Sequence, residues 1–176
     1  LLVLRALSME EAYKSINWSV IFLIALLIPV GIAMDNTGAA KYLSDAIISL
    51  SSSLGGDPYY QVKVVVSILY FVTFITSAFI SNAAVAIILS PLSILLAQYF
   101  INMNLDIPID PTKAFLMAIC FGASASFMTP IGYQTNLMVF APGHYKFKDF
   151  MIIGFPITII FWILASYLIP VFWPLF

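Results

Sequence analysis

The sequence predicts an all-α integral membrane fold, with spanning helices, a re-entrant hairpin and a discontinuous helix. Three observations predict it. Of the 176 residues, 62% are hydrophobic and only 9% charged, with a mean hydropathy of +1.06; a soluble domain carries roughly a quarter charged residues. The charges fall in short groups between long apolar runs, as a bilayer requires. Two of those runs are interrupted by polar residues rather than by charges, one near 76–82 and one near 129–136.

Taken in order, the chain opens Leu1-Leu2-Val3-Leu4-Arg5 without a methionine, which reads as the end of an earlier helix and marks the C-terminal part of a longer protein. Ser8-Met9-Glu10-Glu11 has the pattern of a helix start, a capping serine followed by acidic residues. Residues 18–34 carry no charge and are long enough to span, with Trp18 at the interface and Pro29 as a kink. Residues 39–54 mix Lys41 and Asp45 with Tyr42, Leu43, Ile47, Ile48 and Leu50, an amphipathic helix suited to the membrane surface. Gly55-Gly56-Asp57-Pro58 is a turn.

Between residues 64 and 105 there is no Asp, Glu, Lys, Arg or His. As one helix, 64–100 would run about 55 Å against a hydrocarbon core of roughly 30 Å, so it must fold back. The break falls near Ser81-Asn82, where no lysine, arginine, glycine or proline marks an aqueous loop. A hairpin over 62–100 that enters and leaves by the same face accounts for this; two ordinary helices joined by a tight turn are the alternative. Residues 101–112 are polar and proline-containing, an exposed loop. A broken helix follows over 113–141. Its first half is rich in small residues (Gly122, Ala123, Ser124, Ala125, Ser126) that permit close packing. Pro130 and Gly132 then oppose helix before a second short apolar run. After a loop carrying His144, Lys146 and Lys148, residues 150–174 form a last spanning helix with Pro156 and Pro170. Placing Arg5, Lys14, Lys146 and Lys148 in the cytoplasm makes the first and last helices run outward.

The net charge of −1 contains no basic patch, which argues against a nucleic-acid partner. Lone Cys120 allows no intrachain disulfide and reads as a small buried hydrophobe. Nothing pairs a nucleophile with a base or forms a metal quartet, so no catalytic residue and no bound cofactor are expected. A single membrane Ser or Thr, such as Thr73, Ser90 or Ser124, ordinarily bonds its own backbone or a neighbouring helix. His144 reads as interfacial rather than as a proton relay. Two polar interruptions together are different: they are the sequence pointer to a transporter binding site. A half-helix ending at mid-membrane presents carbonyls suited to Na⁺, and one starting there presents N–H groups suited to an anion.

These residues resemble the divalent anion:sodium symporters of the ion transporter superfamily. Ser81-Asn82-Ala83 is similar to the Ser-Asn-Thr signature at the family's second hairpin tip, with Ser77 as the hydroxyl one turn earlier. The segment from Phe127 through Thr129-Pro130-Ile131-Gly132-Tyr133-Gln134-Thr135-Asn136 resembles the unwound part of the next-to-last helix. Asn17-Trp18 and the Pro142-Gly143 to Lys148-Asp149-Phe150 connection match too. The resemblance implies one inverted repeat of a homodimeric, elevator-type carrier, partnered by an N-terminal repeat in the plasma membrane, a bacterial inner membrane. It implies Na⁺ as coupling ion, held by Ser77, Ser81, Asn82 and Gly132. It places Asn82, Ala83, Thr135 and Asn136 toward a small anionic substrate, sulfate or a di- or tricarboxylate. Ala83 stands where the family's dicarboxylate carriers have Thr, which shifts the expectation toward sulfate. Another oxyanion or metalloid carrier, and a non-transporting channel or scaffold subunit, are the alternatives.

Overall fold

The computed structural model describes residues 10, 13–14, 16, 18–103 and 110–173. The helix start read at Ser8 and most of the loop after residue 103 lie outside these. Among the described residues there are seven helices and no strand: α1 Trp18–Asn36, α2 Ala39–Ser53, α3 Pro58–Ser77, α4 Asn82–Ile101, α5 Thr112–Ser124, α6 Gln134–Phe140 and α7 Phe147–Phe172. By length and composition α3, α4 and α7 can each cross a membrane.

The centre of the molecule is α3. Asp57 caps it by accepting the Tyr60 N–H at 2.9 Å, and Pro58 occupies the first turn, where a missing N–H costs nothing. Its buried residues Val62, Val65, Val66, Leu69, Tyr70, Thr73, Phe74 and Ser77 recur at intervals of three and four, so one continuous face is covered. That face meets α5 most extensively, with α7 and α4 alongside. From α4, Leu92, Leu96 and Phe100 complete the core, and the Phe100 and Phe115 rings meet edge to face at 6.1 Å. Gly122 lets α5 lie against α3: a methyl group there would stand 2.9 Å from the Tyr70 carbonyl oxygen. Lone Cys120 was expected in the core but is exposed, because Ala118, Ile119, Gly122 and Ala123 take the inward face of α5.

Both arms of the hairpin are 20 residues long, about 30 Å each. The uncharged run understates the first arm, since α3 begins at Pro58 and its exposed Lys63 belongs to the helix. The turn occupies residues 78–81 between the two arms. These lengths suit two full spans as well as a re-entrant pair, so the choice rests on the chemistry of the tip.

Around this centre, α1 packs on α4, where a methyl at Gly31 would meet Pro91 Cγ at 3.3 Å. On α2 the buried stripe is Ala40, Ser44, Ile47 and Ser51, while Tyr42, Leu43 and Leu50 point outward. Before α5, the Thr112 N–H donates to Asp110 Oδ1 at 3.1 Å, and hydrogen bonding to Thr112 holds the Asp110 carboxyl below the usual carboxylate range. Last, α7 lies against α3 and α5 with much of its surface exposed. Two polar contacts fasten it to α3: Trp162 Nε1 donates to the Ser67 carbonyl at 3.0 Å, and Ser166 Oγ donates to Ser67 Oγ at 3.0 Å.

Candidate functional site

Helix ends leave backbone groups without intrahelical partners, and the site forms where several ends meet. α3 stops at Ser77, α4 starts at Asn82, α5 stops at Ser124, and residues 125–133 run without helix before α6. The hairpin tip and the unwound segment face each other, although about fifty residues separate them in sequence.

Ser77 is fully buried at the centre. Its Oγ lies 2.8 Å from Asn82 Oδ1, 2.6 Å from the Ala123 carbonyl oxygen and 2.7 Å from Ser126 Oγ. Ser126 Oγ is in turn 2.9 Å from Asn82 Oδ1 and 3.2 Å from the Ser77 carbonyl oxygen. Next along the unwound segment, buried Thr129 donates to the Ala78 carbonyl at 2.5 Å and accepts the Gly132 N–H at 3.0 Å. Asn136 Nδ2 closes the loop by reaching the Ser126 and Thr129 carbonyls, both at 3.2 Å. The last carbonyls of α3, its partially negative end, therefore lie against hydroxyls from the other segment, that of Ala78 accepting from Thr129 and that of Ser77 lying 3.2 Å from Ser126 Oγ. The cluster contains no formal charge and is rich in oxygen.

The residues singled out by sequence fall into two groups. Ser77, Asn82 and Gly132 come together: a methyl group at Gly132 would sit 3.0 Å from both Ser126 Cβ and Thr129 Oγ1 and 3.2 Å from the Ser77 carbonyl oxygen. A side chain there would make its neighbours give by a few tenths of an ångström, so glycine eases the close approach. Asn136 is tied to the same segment and also lines a cavity of ≈ 310 Å³ with Phe127, Tyr145, Asp149 and Gly154. Ser81 stands apart from the buried oxygens. It is exposed and caps α4, its Oγ accepting the Ala84 N–H at 3.4 Å. Ala83 is half-buried on the first turn of α4, and Thr135 is exposed on α6. Thr73, Ser90 and Ser124 donate to the carbonyls of Leu69, Ala86 and Cys120, the ordinary role of single hydroxyls in membrane helices.

Sequence reasoning missed Ser126 and Thr129. Both lie at the first break in helix pattern, but Ser126 reads as one more small residue in a packing run. For Ser81, the expected result is modest: Ser81→Ala lowers stability by about 1 kcal/mol through loss of the cap, and Ser81→Asp restores it. Thermal unfolding of the two variants checks this.

Residues 1–112 match the citrate transporter family, CitMHS. An uncharacterized transporter of Synechocystis sp. is 37% identical over 85% of this chain and 22% of its own length. The probable sodium/sulfate cotransporter 3 of Chlamydomonas reinhardtii is 33% identical over 96% of this chain and 17% of its own length. An uncharacterized transporter of Escherichia coli, YfbS, is 31% identical over 97% of this chain and 26% of its own length. The chain spans no more than about a quarter of each of these relatives.

Proposed function

The chain belongs to the citrate transporter (CitMHS) family, and we propose that it is the C-terminal repeat of a sodium-coupled symporter of sulfate. The observation that carries this reading is the buried, charge-free ring of hydroxyl, carbonyl and amide groups where the hairpin tip meets the unwound segment. Hydroxyl, amide and carbonyl oxygens are hard ligands suited to an alkali cation, and they hold it without burying a carboxylate. Ser77 and Asn82 supply oxygens, and Gly132 admits the close approach that brings the unwound segment to them. Ser81, at the exposed mouth, would join them once the tip closes. Na⁺ is the cotransported ion here, and no other cofactor is required.

The anion is assigned to the opposite polarity. The first turn of α4 carries N–H groups at Asn82 and Ala83 that lack intrahelical acceptors. Asn136, tied to the unwound segment through the Ser126 and Thr129 carbonyls, and Thr135 beside it on α6 are assigned to the anion as well. Without a hydroxyl at residue 83, a carboxylate loses one donor, worth about 1–3 kcal/mol in a dry site. Sulfate is smaller and needs fewer side-chain donors. Curated relatives in Chlamydomonas reinhardtii are named sodium/sulfate cotransporters, which supports the choice. The family's own description is citrate, which makes citrate the competing substrate. In this reading the hairpin is re-entrant and its tip lies at mid-depth. The working unit is a plasma-membrane homodimer, each chain completed by an N-terminal repeat, and the repeats move as an elevator.

The test uses the complete protein in proteoliposomes. Radiolabelled sulfate should accumulate under an inward Na⁺ gradient and stop when choline replaces Na⁺; excess sulfate should compete better than citrate or arsenite. Sulfate uptake equal in choline and in Na⁺ would remove sodium coupling. Competition by citrate or arsenite ahead of sulfate would reassign the substrate.

A further inference from the structure

Four contacts of 2.6–2.9 Å join Ser77 Oγ, Ser126 Oγ, the Ala123 carbonyl and the inward-facing atom of the Asn82 amide. With Oδ1 facing inward, only the two serine hydrogens are available for those four contacts, because amide and carbonyl oxygens only accept. Two contacts are then bare oxygen–oxygen approaches at hydrogen-bonding distance. A cation does not fit this spacing either. A hard cation about 2.4 Å from each ligand separates neighbouring oxygens by roughly 3.4 Å.

Turning the Asn82 amide over resolves the count without moving a heavy atom. Nδ2, which otherwise makes no hydrogen bond among the described residues, then donates one hydrogen to Ser77 Oγ and one to Ser126 Oγ. Ser77 donates to the Ala123 carbonyl, and Ser126 donates to Ser77 Oγ. Each of the four contacts now holds one hydrogen. The compact spacing is therefore that of a nitrogen-inward cluster, whereas cation binding requires the oxygen.

We propose that Asn82 is a two-position amide switch: its nitrogen faces Ser77 and Ser126 when the site holds no cation, and its oxygen faces them when a cation enters. Ser126 is a further ligand of that cation. This rests on the sodium-coupled reading and adds to it how Ser77, Ser126 and Asn82 share their hydrogens between transport events. No Asp, Glu, Lys, Arg or His occurs in 64–105 or 114–143, so no charged group of α4, the unwound segment, α6 or the inner part of α3 or α5 competes for the amide.

The experiment is solid-state NMR of the complete protein, reconstituted with ¹⁵N-labelled asparagine, with ²²Na⁺ binding measured on the same samples. The Asn82 side-chain signal is identified by its disappearance in Asn82→Ser. It should shift when Na⁺ replaces choline, its two hydrogens losing their hydrogen bonds together. Ser126→Ala should move the sodium-free signal and weaken ²²Na⁺ binding about tenfold, while Ser124→Ala, which alters a hydroxyl bonded to its own helix, changes neither. If Asn82→Ser fails to fold, Ser77→Ala and Ser126→Ala identify the same resonance by displacing it. Saturable ²²Na⁺ binding with an unmoved Asn82 signal overturns the switch and leaves the sodium reading intact. Absence of saturable ²²Na⁺ binding in the wild-type protein overturns both.

Discussion

Gly154→Ala is expected to destabilise the protein by about 3 kcal/mol, the upper end of what forcing a methyl group into a filled site costs. α7 crosses the unwound segment with its backbone almost in contact. A Cβ on Gly154 would stand 2.2 Å from the Phe127 carbonyl oxygen, 2.6 Å from the Phe127 carbonyl carbon and 2.8 Å from Met128 Cα. All three are main-chain atoms, so no rotamer change relieves the overlap and the helix has to lift. Lifting strains the two bonds to Ser67 that fasten α7 to α3. It also draws on the stretch of α7 least able to adapt: Pro156 withholds an N–H, and Thr158 is already committed to the Gly154 carbonyl at 2.8 Å. Thermal unfolding of the full-length protein in detergent should show a lowered midpoint for the transition that includes this domain. Gly31→Ala is the control, because its methyl meets only the ring carbon of Pro91 at 3.3 Å. Equal midpoints for the two variants would mean that α7 is not seated on the unwound segment.

That seat shows which parts of the molecule a single sequence reveals. Helices were legible wherever a run lacked charge, because lipid-compatible runs must satisfy their backbone internally. The break between α5 and α6 was legible from Pro130 and Gly132, poor helix formers for reasons local to each residue, although α5 already stops at Ser124. The start of α3 was not, since Lys63 breaks the apolar run without breaking the helix. Contacts between segments were less accessible still. Ser77 and Ser126 meet across the fold, and each taken alone carries only the prior of a self-bonded hydroxyl, which Ser124 two residues away obeys. Cys120 failed for a similar reason: a lone cysteine in an apolar run is buried by default, yet helix phase put it on the outer face of α5. Ser81 was legible as part of a dipeptide, but its position on the cap depends on where α4 begins.

The second large effect is expected at Thr129, the residue that joins the hairpin tip to the unwound segment. Thr129→Val keeps the shape and removes the hydroxyl. It leaves the Ala78 carbonyl without its donor and the Gly132 N–H without its acceptor. At about 1–3 kcal/mol for each orphaned buried group, the loss is on the order of 2–6 kcal/mol. Most of it falls on the arrangement that presents Ser126 and Gly132 to Ser77, because Thr129 is the next tie along that segment. The complete protein should therefore still insert, yet lose more than tenfold in sodium affinity and in sodium-driven sulfate uptake. Thr129→Ser keeps both hydrogen bonds and gives up one methyl, roughly 1 kcal/mol, so it should recover most of the affinity. The comparison separates bridging from packing. If Thr129→Val binds Na⁺ like wild type while Thr129→Ser is impaired, the methyl group matters and the hydroxyl does not. Position of the unwound segment would then be set by Gly154 and α7 alone, and the coupling between hairpin and broken helix would have to pass through Ser77 and Ser126 without Thr129.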